Sequence, residues 1–219
     1  MAVLAIVLLA AAYLLGSIPT GYLVAHWMKG IDIRQYGSGG TGATNVLRTV
    51  GKGAAIAVLI IDLLKGLLAV RLAIALWPQV AALTSAPDAV AAQWQPWIIM
   101  LAGLFALVGH SKSVWINFTG GKSAASGLGV LLGLAWPVAL GAAIAFGLTL
   151  GLSRIVSLGS IAAAIAAAVL MVVTGQPLPY VVLGVLGAAY VILRHRGNIE
   201  RLLAGTEPRL GQQTSNHGG

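Results

Sequence analysis

The sequence contains no cysteine, so disulfide bonds and thiolate chemistry are both excluded. Charged residues are scarce as well, since they make up 8% of the 219 residues while 58% are hydrophobic. A soluble domain of this size would carry about a quarter charged residues. The composition therefore predicts one membrane-embedded domain over residues 1–211. The polar, glycine-rich end of the chain, 212–219, is expected to be a disordered tail.

A basic segment before the first apolar run is also missing, and this run continues to about Met28. A cleavable signal peptide would begin with basic residues and have a shorter apolar core. The run is therefore predicted to be a first transmembrane helix.

The few basic residues are distributed unevenly along the chain. All but two of the 13 Lys and Arg lie in four polar stretches, 29–52, 110–122, 153–157 and 194–211. Excess Lys and Arg in short loops marks the cytoplasmic side of a membrane. The net charge of +8 is thus explained by topology and anionic lipid, and binding to nucleic acid is not expected.

The apolar segments between these stretches predict an all-α integral membrane protein with seven transmembrane helices. Their ranges are 3–28, 53–77, 94–109, 123–134, 137–152, 158–174 and 178–194. An odd number of spans with the basic loops inside places the N-terminus outside and the C-terminus in the cytoplasm. The fourth span is short, and a five-span alternative would join 123–152 into one helix or a re-entrant pair. The break at Trp136-Pro137 favours seven spans, because proline does not continue a preceding helix cheaply.

The first basic stretch contains a glycine-rich loop that predicts a phosphate site. Glycines let a backbone turn its N–H groups toward an anion, and an arginine adds a planar fork that fits phosphate. The sequence lacks the Gly-Lys-Ser/Thr ending of a Walker A loop. The predicted substrate-binding residues of this loop are Ser38, Gly39, Gly40, Thr41, Gly42, Asn45 and Arg48.

The second basic stretch ends in Gly120, Gly121 and Lys122, directly before the short fourth span. Free amides at a helix start and an ammonium group would face the same volume, which favours anion binding. His110, at the beginning of this stretch, is expected to have a structural role as a cap or loop tie.

The other two stretches offer further polar residues. Ser157 and Ser160 are expected first to cap the sixth span, with Ser157 as a possible ligand. His195 and Asn198 face one side if the last helix continues. The neighbouring Arg194 and Arg196 would lower the pKa of His195.

Asp62 and Lys65 lie within the second span, three residues apart. They are predicted to neutralise each other and to face the bundle interior. A supporting role behind the phosphate loop is the alternative.

The order of these motifs resembles the PlsY family of bacterial membrane acyltransferases. The matching segments are Gly-Ser-Ile-Pro-Thr-Gly at 16–21, the glycine-rich loop ending at Arg48, Gly-His-Ser through Gly-Gly-Lys122, Arg154-x-x-Ser157, and 195–207. The resemblance implies that Ser38, Arg48, Lys122, Ser157, His195 and Asn198 line the substrate site, with His195, Asn198 and Ser38 catalytic. Two positions depart from the family pattern: Gly40 replaces an asparagine and Thr119 replaces a lysine.

The resemblance implies transfer of an acyl group from acyl phosphate to the 1-hydroxyl of glycerol 3-phosphate, giving lysophosphatidic acid and inorganic phosphate. No cofactor or metal is expected, since acyl phosphate is already activated. The general base is left open between His195 and the donor's own phosphate. The expected setting is the bacterial cytoplasmic (inner) membrane, with the site facing the cytoplasm, membrane lipids as partners and a monomer as a plausible state.

Two other functions remain as alternatives. A small organophosphate transporter or phosphate-binding channel would use the same basic loops, but it needs polar residues through the bundle. The outer halves of the spans are almost wholly apolar. A structural scaffold would leave the glycine-rich loop unexplained.

The predicted topology is testable with single cysteines, since the chain has none of its own. In intact cells, Ser85→Cys should react with a membrane-impermeant thiol reagent, while Gln212→Cys should react only after permeabilisation. Labelling of both positions from the same side would exclude an odd number of spans.

Overall fold

The fold is helical throughout the part of the chain that the computed structural model describes, residues 1–212. The predicted tail lies outside these residues apart from Gln212. The helices are α1 (Ala2–Ser17), α2 (Thr20–Lys29), α3 (Ala43–Thr49), α4 (Lys52–Leu83), α5 (Asp88–Ser111), α6 (Ala124–Leu134), α7 (Trp136–Ser153), α8 (Val156–Val173), α9 (Leu178–Arg194) and α10 (Arg196–Leu203). Short 3₁₀ turns lie at Ile33–Gln35 and Val114–Ile116.

Every predicted apolar segment is helical, and the architecture is that of a multi-pass membrane protein. Five helical segments in residues 1–212 are long and apolar enough to cross a membrane, or six if α9 and the bent α10 count as one span. Helix α6 has 11 residues and rises only about 16 Å, against a hydrocarbon core of about 30 Å. Length and composition thus support five or six spans in the described chain, and the predicted seven are not confirmed.

The first predicted span is interrupted at Ile18-Pro19, where α1 ends and α2 begins. Proline has no N–H to donate and disfavours helical backbone in the residue before it. The break leaves the Ile18 carbonyl free of the helix, and Lys65 Nζ donates to it at 2.9 Å. Ala2–Lys29 remains one segment long and apolar enough to cross a membrane, so only the unbroken helix expected over 3–28 is wrong.

The interval 78–93 between the second and third predicted spans is also too long, because α4 continues through Pro78 to Leu83 and α5 begins at Asp88. A proline inside a membrane helix removes one hydrogen bond, and neighbouring helices can stabilise the kinked segment. Here Trp77 Nε1 donates to the Ala91 carbonyl at 2.8 Å and ties the two helices together. The boundary predicted at Trp136-Pro137 is confirmed, since α7 begins there.

Close helix packing rests on glycines, as is usual where lipid removes the hydrophobic drive for association. Helix α6 lies so close to α4 that a Cβ on Gly66 or Gly129 would collide with a carbonyl of the other helix. Gly16 of α1 packs against Ala106 of α5 in the same way. These contacts hold the short α6 in the bundle although it cannot span the bilayer by its length.

The α4–α6 contact gives a stability prediction. Gly129→Ala would drive a methyl group into the Leu63 carbonyl, and overpacking of this kind costs about 1–3 kcal/mol. Gly147→Ala in α7 is the matched control, since a Cβ there meets nothing within 4 Å. Thermal unfolding in detergent should show a lower midpoint for Gly129→Ala only. Equal midpoints for both variants would contradict the close packing.

Candidate active site

One cavity of about 350 Å³ brings together residues from all four basic stretches. Its polar lining comes from α3 and the loop before it, the loop before α6, the start of α8 and the segment from His195 onward, together with one polar residue each from α4 and α5. Ten of the 13 predicted site residues line it: Ser38, Gly40, Gly42, Asn45, Arg48, Gly121, Lys122, Ser157, His195 and Asn198. Sequence positions that are far apart thus converge on a single volume.

The remainder of the cavity is apolar and lies between the helices. Helices α6 to α9 contribute mainly small side chains there, among them Ala142, Ala143, Ala163, Ala167, Gly184 and Gly187. Small side chains leave room along the helix axes that larger residues would fill. A molecule with an anionic head and an alkyl chain would match both parts of the cavity.

Asn45 organises the glycine-rich loop. Its Nδ2 donates to the carbonyls of Ile33, Tyr36 and Gly40 at 2.8–3.2 Å, and its Oδ1 accepts from the Ser38 amide at 2.9 Å. Asn45 was predicted to donate to the substrate, but its side-chain amide forms its hydrogen bonds within the loop instead. Gly37 is required beside it, because its φ is +57° and a Cβ there would collide with Asn45 Oδ1.

Three predicted binding residues do not line the cavity. Thr41 is buried and packs with its carbonyl against Gly21, while Gly39 follows the outer side of the loop near the Arg34 carbonyl. Gly120 packs against the backbone of His110 and Ser111. These three residues support the backbone of the two loops on the side away from the cavity.

Arg48 lies on α3 and lines the cavity. Within residues 1–212 its guanidinium forms no hydrogen bond or ion pair to another side chain. A planar guanidinium with open donors is the group that best binds a phosphate in two-point geometry.

Lys122, Asn198 and Glu207 form a continuous chain of hydrogen bonds. Lys122 Nζ donates to Asn198 Oδ1, and Asn198 Nδ2 donates to Glu207 Oε1 at 2.5 Å. Glu207 also accepts from Ser157 Oγ at 2.7 Å and from Arg201 Nε at 2.7 Å. The predicted cap role of Ser157 is wrong, since α8 has no side-chain cap and this hydroxyl faces Glu207 instead.

The pKa values of Lys122 and Glu207, the two ends of this chain of hydrogen bonds, are shifted by their surroundings. Burial lowers the pKa of the Lys122 ammonium, and nearby Arg201, Arg194 and Arg48 act in the same direction while Glu207 opposes them. Burial alone would raise the pKa of Glu207, but the hydrogen bonds from Ser157, Asn198 and Arg201 hold it below its usual value. The surroundings thus favour the charged form of the Glu207 carboxylate and oppose the charged form of the Lys122 ammonium.

His195 follows the last residue of α9 and points its Nδ1 at the Val191 carbonyl, at 2.7 Å. Burial lowers the pKa of its imidazole; Lys122 and Arg194 add to this, while the Val191 carbonyl and Glu207 oppose it. The predicted direction of the shift is confirmed, although burial rather than the arginines is its largest cause. With Nδ1–H bound to Val191, the neutral ring keeps Nε2 as an acceptor.

Three further ionisable residues line the cavity, Glu207, Asp62 and His110. Glu207 was not among the predicted site residues, His110 was expected to be structural, and a supporting role was only the alternative for Asp62. Glu207 ends the matching segment at 195–207, which also contains Asn198 and Arg201. This segment could therefore have pointed to Glu207 as a site residue. The predicted Asp62–Lys65 pair is confirmed at 2.8 Å. Among the described residues no group of three or more His, Cys, Asp or Glu has the arrangement of a metal site.

Comparison with known proteins identifies one family. Residues 6–205 match the family model described as glycerol-3-phosphate acyltransferase. A glycerol-3-phosphate acyltransferase of Trichormus variabilis is 55% identical over 203 residues, which are 92% of this chain and 90% of that protein. One from Acaryochloris marina is 55% identical over 208 residues, covering 94% and 92% of the two chains.

Solved structures agree with the sequence relatives. The crystal structure of PlsY (YgiH), an integral membrane glycerol 3-phosphate acyltransferase, in its glycerol 3-phosphate form matches with a TM-score of 0.80 and 37% identity. The match covers 94% of this chain and 96% of that one. The lysophosphatidic acid form matches with a TM-score of 0.78 and 36% identity, covering 94% and 95%.

The lowered pKa of Glu207 predicts a pH-dependent stability. Its contribution is complete above the unfolded-state pKa of about 4.3 and is lost as the pH falls through the lower folded-state value. Glu207→Gln should therefore lower the free energy of unfolding by about 1.5–3 kcal/mol at pH 7.

Thermal unfolding at pH 7 and near pH 3 would measure this difference, with Glu200→Gln as the control, since Glu200 is exposed on the neighbouring α10. The gap between wild type and Glu207→Gln should shrink at the lower pH. A gap that is the same at both values would mean that the carboxylate charge contributes nothing.

Proposed function

The chain belongs to the glycerol-3-phosphate acyltransferase family, and we propose that it acylates the 1-hydroxyl of glycerol 3-phosphate with acyl phosphate as the donor. Membership of the family makes the chain an acyltransferase of phospholipid biosynthesis that acts on glycerol 3-phosphate. One observation supports the finer proposal most strongly. The cavity joins a cationic end, with Arg48 and Lys122, to an apolar region between α6 and α9. Such a volume suits a phosphate head and an acyl chain together.

The proposed reaction needs no covalent enzyme intermediate. An acyl phosphate is a mixed anhydride, so the oxygen of the 1-hydroxyl attacks its carbonyl carbon directly. The bond between this carbon and the phosphate oxygen breaks, and the bonding electrons leave with the phosphate. The hydroxyl proton passes to a base. What the protein supplies is alignment of the two substrates and stabilisation of the leaving anion.

Arg48 and Lys122 are the proposed phosphate ligands. Both line the cavity, and they come from different segments, α3 and the loop before α6, so each can reach a different face of an anion. The bond from Lys122 to Asn198 fixes the direction of the ammonium while two of its protons stay available. Ser38 and the backbone of Gly40, Gly42 and Gly121 complete the polar lining.

His195 is proposed to position glycerol 3-phosphate rather than to act as the base. The Val191 contact fixes the ring and leaves Nε2 free to accept a hydrogen bond from a substrate hydroxyl. The donor's phosphate is then the proton acceptor. A mixed anhydride needs less help from a base than an amide does, which favours this assignment.

The proposed setting is the bacterial cytoplasmic membrane, with seven spans, the N-terminus outside and the site facing the cytoplasm. The positive-inside distribution of Lys and Arg supports this orientation. The acyl chain would then enter from the lipid, and a single chain contains every residue of the proposed site. These features support a monomer as the working unit.

The choice of donor is tested with purified protein, glycerol 3-phosphate and either palmitoyl phosphate or palmitoyl-CoA. Release of inorganic phosphate in step with lysophosphatidic acid should occur with palmitoyl phosphate only. Turnover with the thioester alone would overturn the proposed donor and leave the family assignment intact.

Removal of either proposed phosphate ligand should reduce turnover strongly. Arg48→Ala and Lys122→Ala each delete a charge-assisted contact of about 1.5–3 kcal/mol, hence roughly a tenfold to hundredfold loss in kcat/KM. Arg48→Lys should also be poor, because lysine lacks the planar fork. Lys112→Ala is the control, since Lys112 lies exposed on the same loop as Lys122. Normal kinetics in both alanine variants would show that the phosphate ligands are misassigned.

The two roles of His195 separate in the kinetics of His195→Ala. A positioning residue raises KM for glycerol 3-phosphate, and kcat keeps the pH profile of the substrate phosphates. A general base lowers kcat far more, and wild-type kcat would fall with pH below about 6.5, since the pKa of His195 is lowered. Unchanged KM together with rescue of the rate by added imidazole would contradict the positioning role.

A further inference from the structure

Three ionisable side chains lie buried beside the cavity without a part in the proposed chemistry. Asp62, Lys65 and His110 are 1%, 3% and 6% exposed. Charged groups at membrane depth are costly and usually have a function. Asp62 and His110 also line the cavity, so they border the substrate volume.

The Asp62–Lys65 pair explains how these two buried charges are balanced, but it does not explain why His110 is buried beside them. Lys65 Nζ lies 2.8 Å from Asp62 Oδ1 and also donates to Ile18, so this ion pair closes the α1–α2 break. His110 Nδ1 lies 3.6 Å from the same carboxylate oxygen and, within residues 1–212, has no hydrogen-bond partner. The imidazole therefore faces Asp62 on one edge, and its other edge is available for a second contact.

That second contact is the Gly-Gly-Lys segment. A Cβ on Gly121 would collide first with His110 Nε2 and then with the ring carbons on either side of it. The Gly121 amide also donates to the His110 carbonyl at 3.2 Å, and Arg194 Nη2 donates to the Gly121 carbonyl at 3.2 Å. Gly121 thus has three contacts, with the His110 carbonyl, with Arg194 and with the His110 imidazole, and the imidazole packs directly against its Cα.

Gly121 precedes Lys122 directly, so its position sets where the ammonium enters the cavity. Misplacements of about 1 Å are costly for catalysis, so the contact between the imidazole and Gly121 bears on how Lys122 meets the substrate. The carboxylate of Asp62 is the group that faces the imidazole from α4 and limits its movement.

We propose that Asp62 and His110 are positioning residues for acyl transfer: Asp62 orients the His110 imidazole, and the imidazole supports Gly121 so that Lys122 faces the substrate phosphate. The inference rests on the proposed role of Lys122 as a phosphate ligand. It assigns no proton transfer to either residue.

A double-mutant cycle between His110 and Gly121 tests this contact. Gly121→Ala pushes a methyl group into the imidazole, and His110→Ala removes the support, so each should raise KM for glycerol 3-phosphate by roughly fivefold or more, with a smaller change in kcat. In His110→Ala/Gly121→Ala the methyl group occupies the vacated space. KM of the double variant should then lie below that of Gly121→Ala alone. Independent effects, in which the two increases multiply, would overturn the proposal.

Two further variants keep the test valid if His110→Ala does not fold. His110→Gln retains a polar group of similar reach and should recover part of the affinity, and Asp62→Asn should raise KM by removing the charge that faces the ring. His26→Ala and Asp88→Asn are matched controls, since both residues are exposed and neither lines the cavity. A wild-type KM in Asp62→Asn would contradict the proposal.

Lys122→Ala, measured in parallel, distinguishes a failure of the positioning inference from a failure of the proposed phosphate ligand. A strong defect in Lys122→Ala with normal His110 and Asp62 variants would overturn the positioning inference alone. Normal affinity in Lys122→Ala would overturn the assigned phosphate ligand, and the inference would fall with it.

Discussion

The buried carboxylate of Glu207 is the interaction on which the polar end of the site depends. It accepts hydrogen bonds from Ser157 on α8 and from Asn198 and Arg201 on α10. Asn198 in turn accepts from Lys122, which belongs to the loop before α6. One acidic group therefore connects three of the four basic stretches. A buried carboxylate without these partners would be strongly destabilising, so the partners and the acid constrain each other.

The loops add a second constraint, which acts through backbone rather than charge. Asn45 uses its whole amide to shape the glycine-rich loop, and Gly121 lies on the His110 imidazole. Both loops are thereby formed before a substrate binds, which lowers the entropic cost of binding. Preorganised donors are also the arrangement that stabilises a leaving phosphate most effectively. The apolar lining from α6 to α9 then needs only to be open and small-sided to accept an acyl chain.

The sequence predicted best those features that depend on hydropathy and charge without tertiary packing. Hydropathy located every apolar helix, but not the proline effects: Pro19 breaks a helix while Pro78 lies inside one. The difference depends on packing, since α4 is held by α6 and by the Trp77–Ala91 bond. Motifs located most of the cavity lining, although Thr41 and Gly120 support the loops from behind. Glu207 gained its role only when tertiary structure brought it to Ser157, a partner 50 residues away. His110 likewise depends on its contact with Asp62, which no local pattern specifies.

The hydrogen bonds from Lys122 to Asn198 and from Asn198 to Glu207 predict that Glu207 affects substrate binding through Asn198. The dissociation constant of glycerol 3-phosphate in a double-mutant cycle tests this coupling most directly. Calorimetry would compare wild type, Asn198→Ala, Glu207→Gln and the double variant. If both residues act through one chain to Lys122, the double variant should bind no more weakly than the weaker single variant, since residues in one network are strongly coupled. Two losses of affinity that multiply in the double variant would mean that Glu207 and Asn198 act independently, and this result would contradict the account.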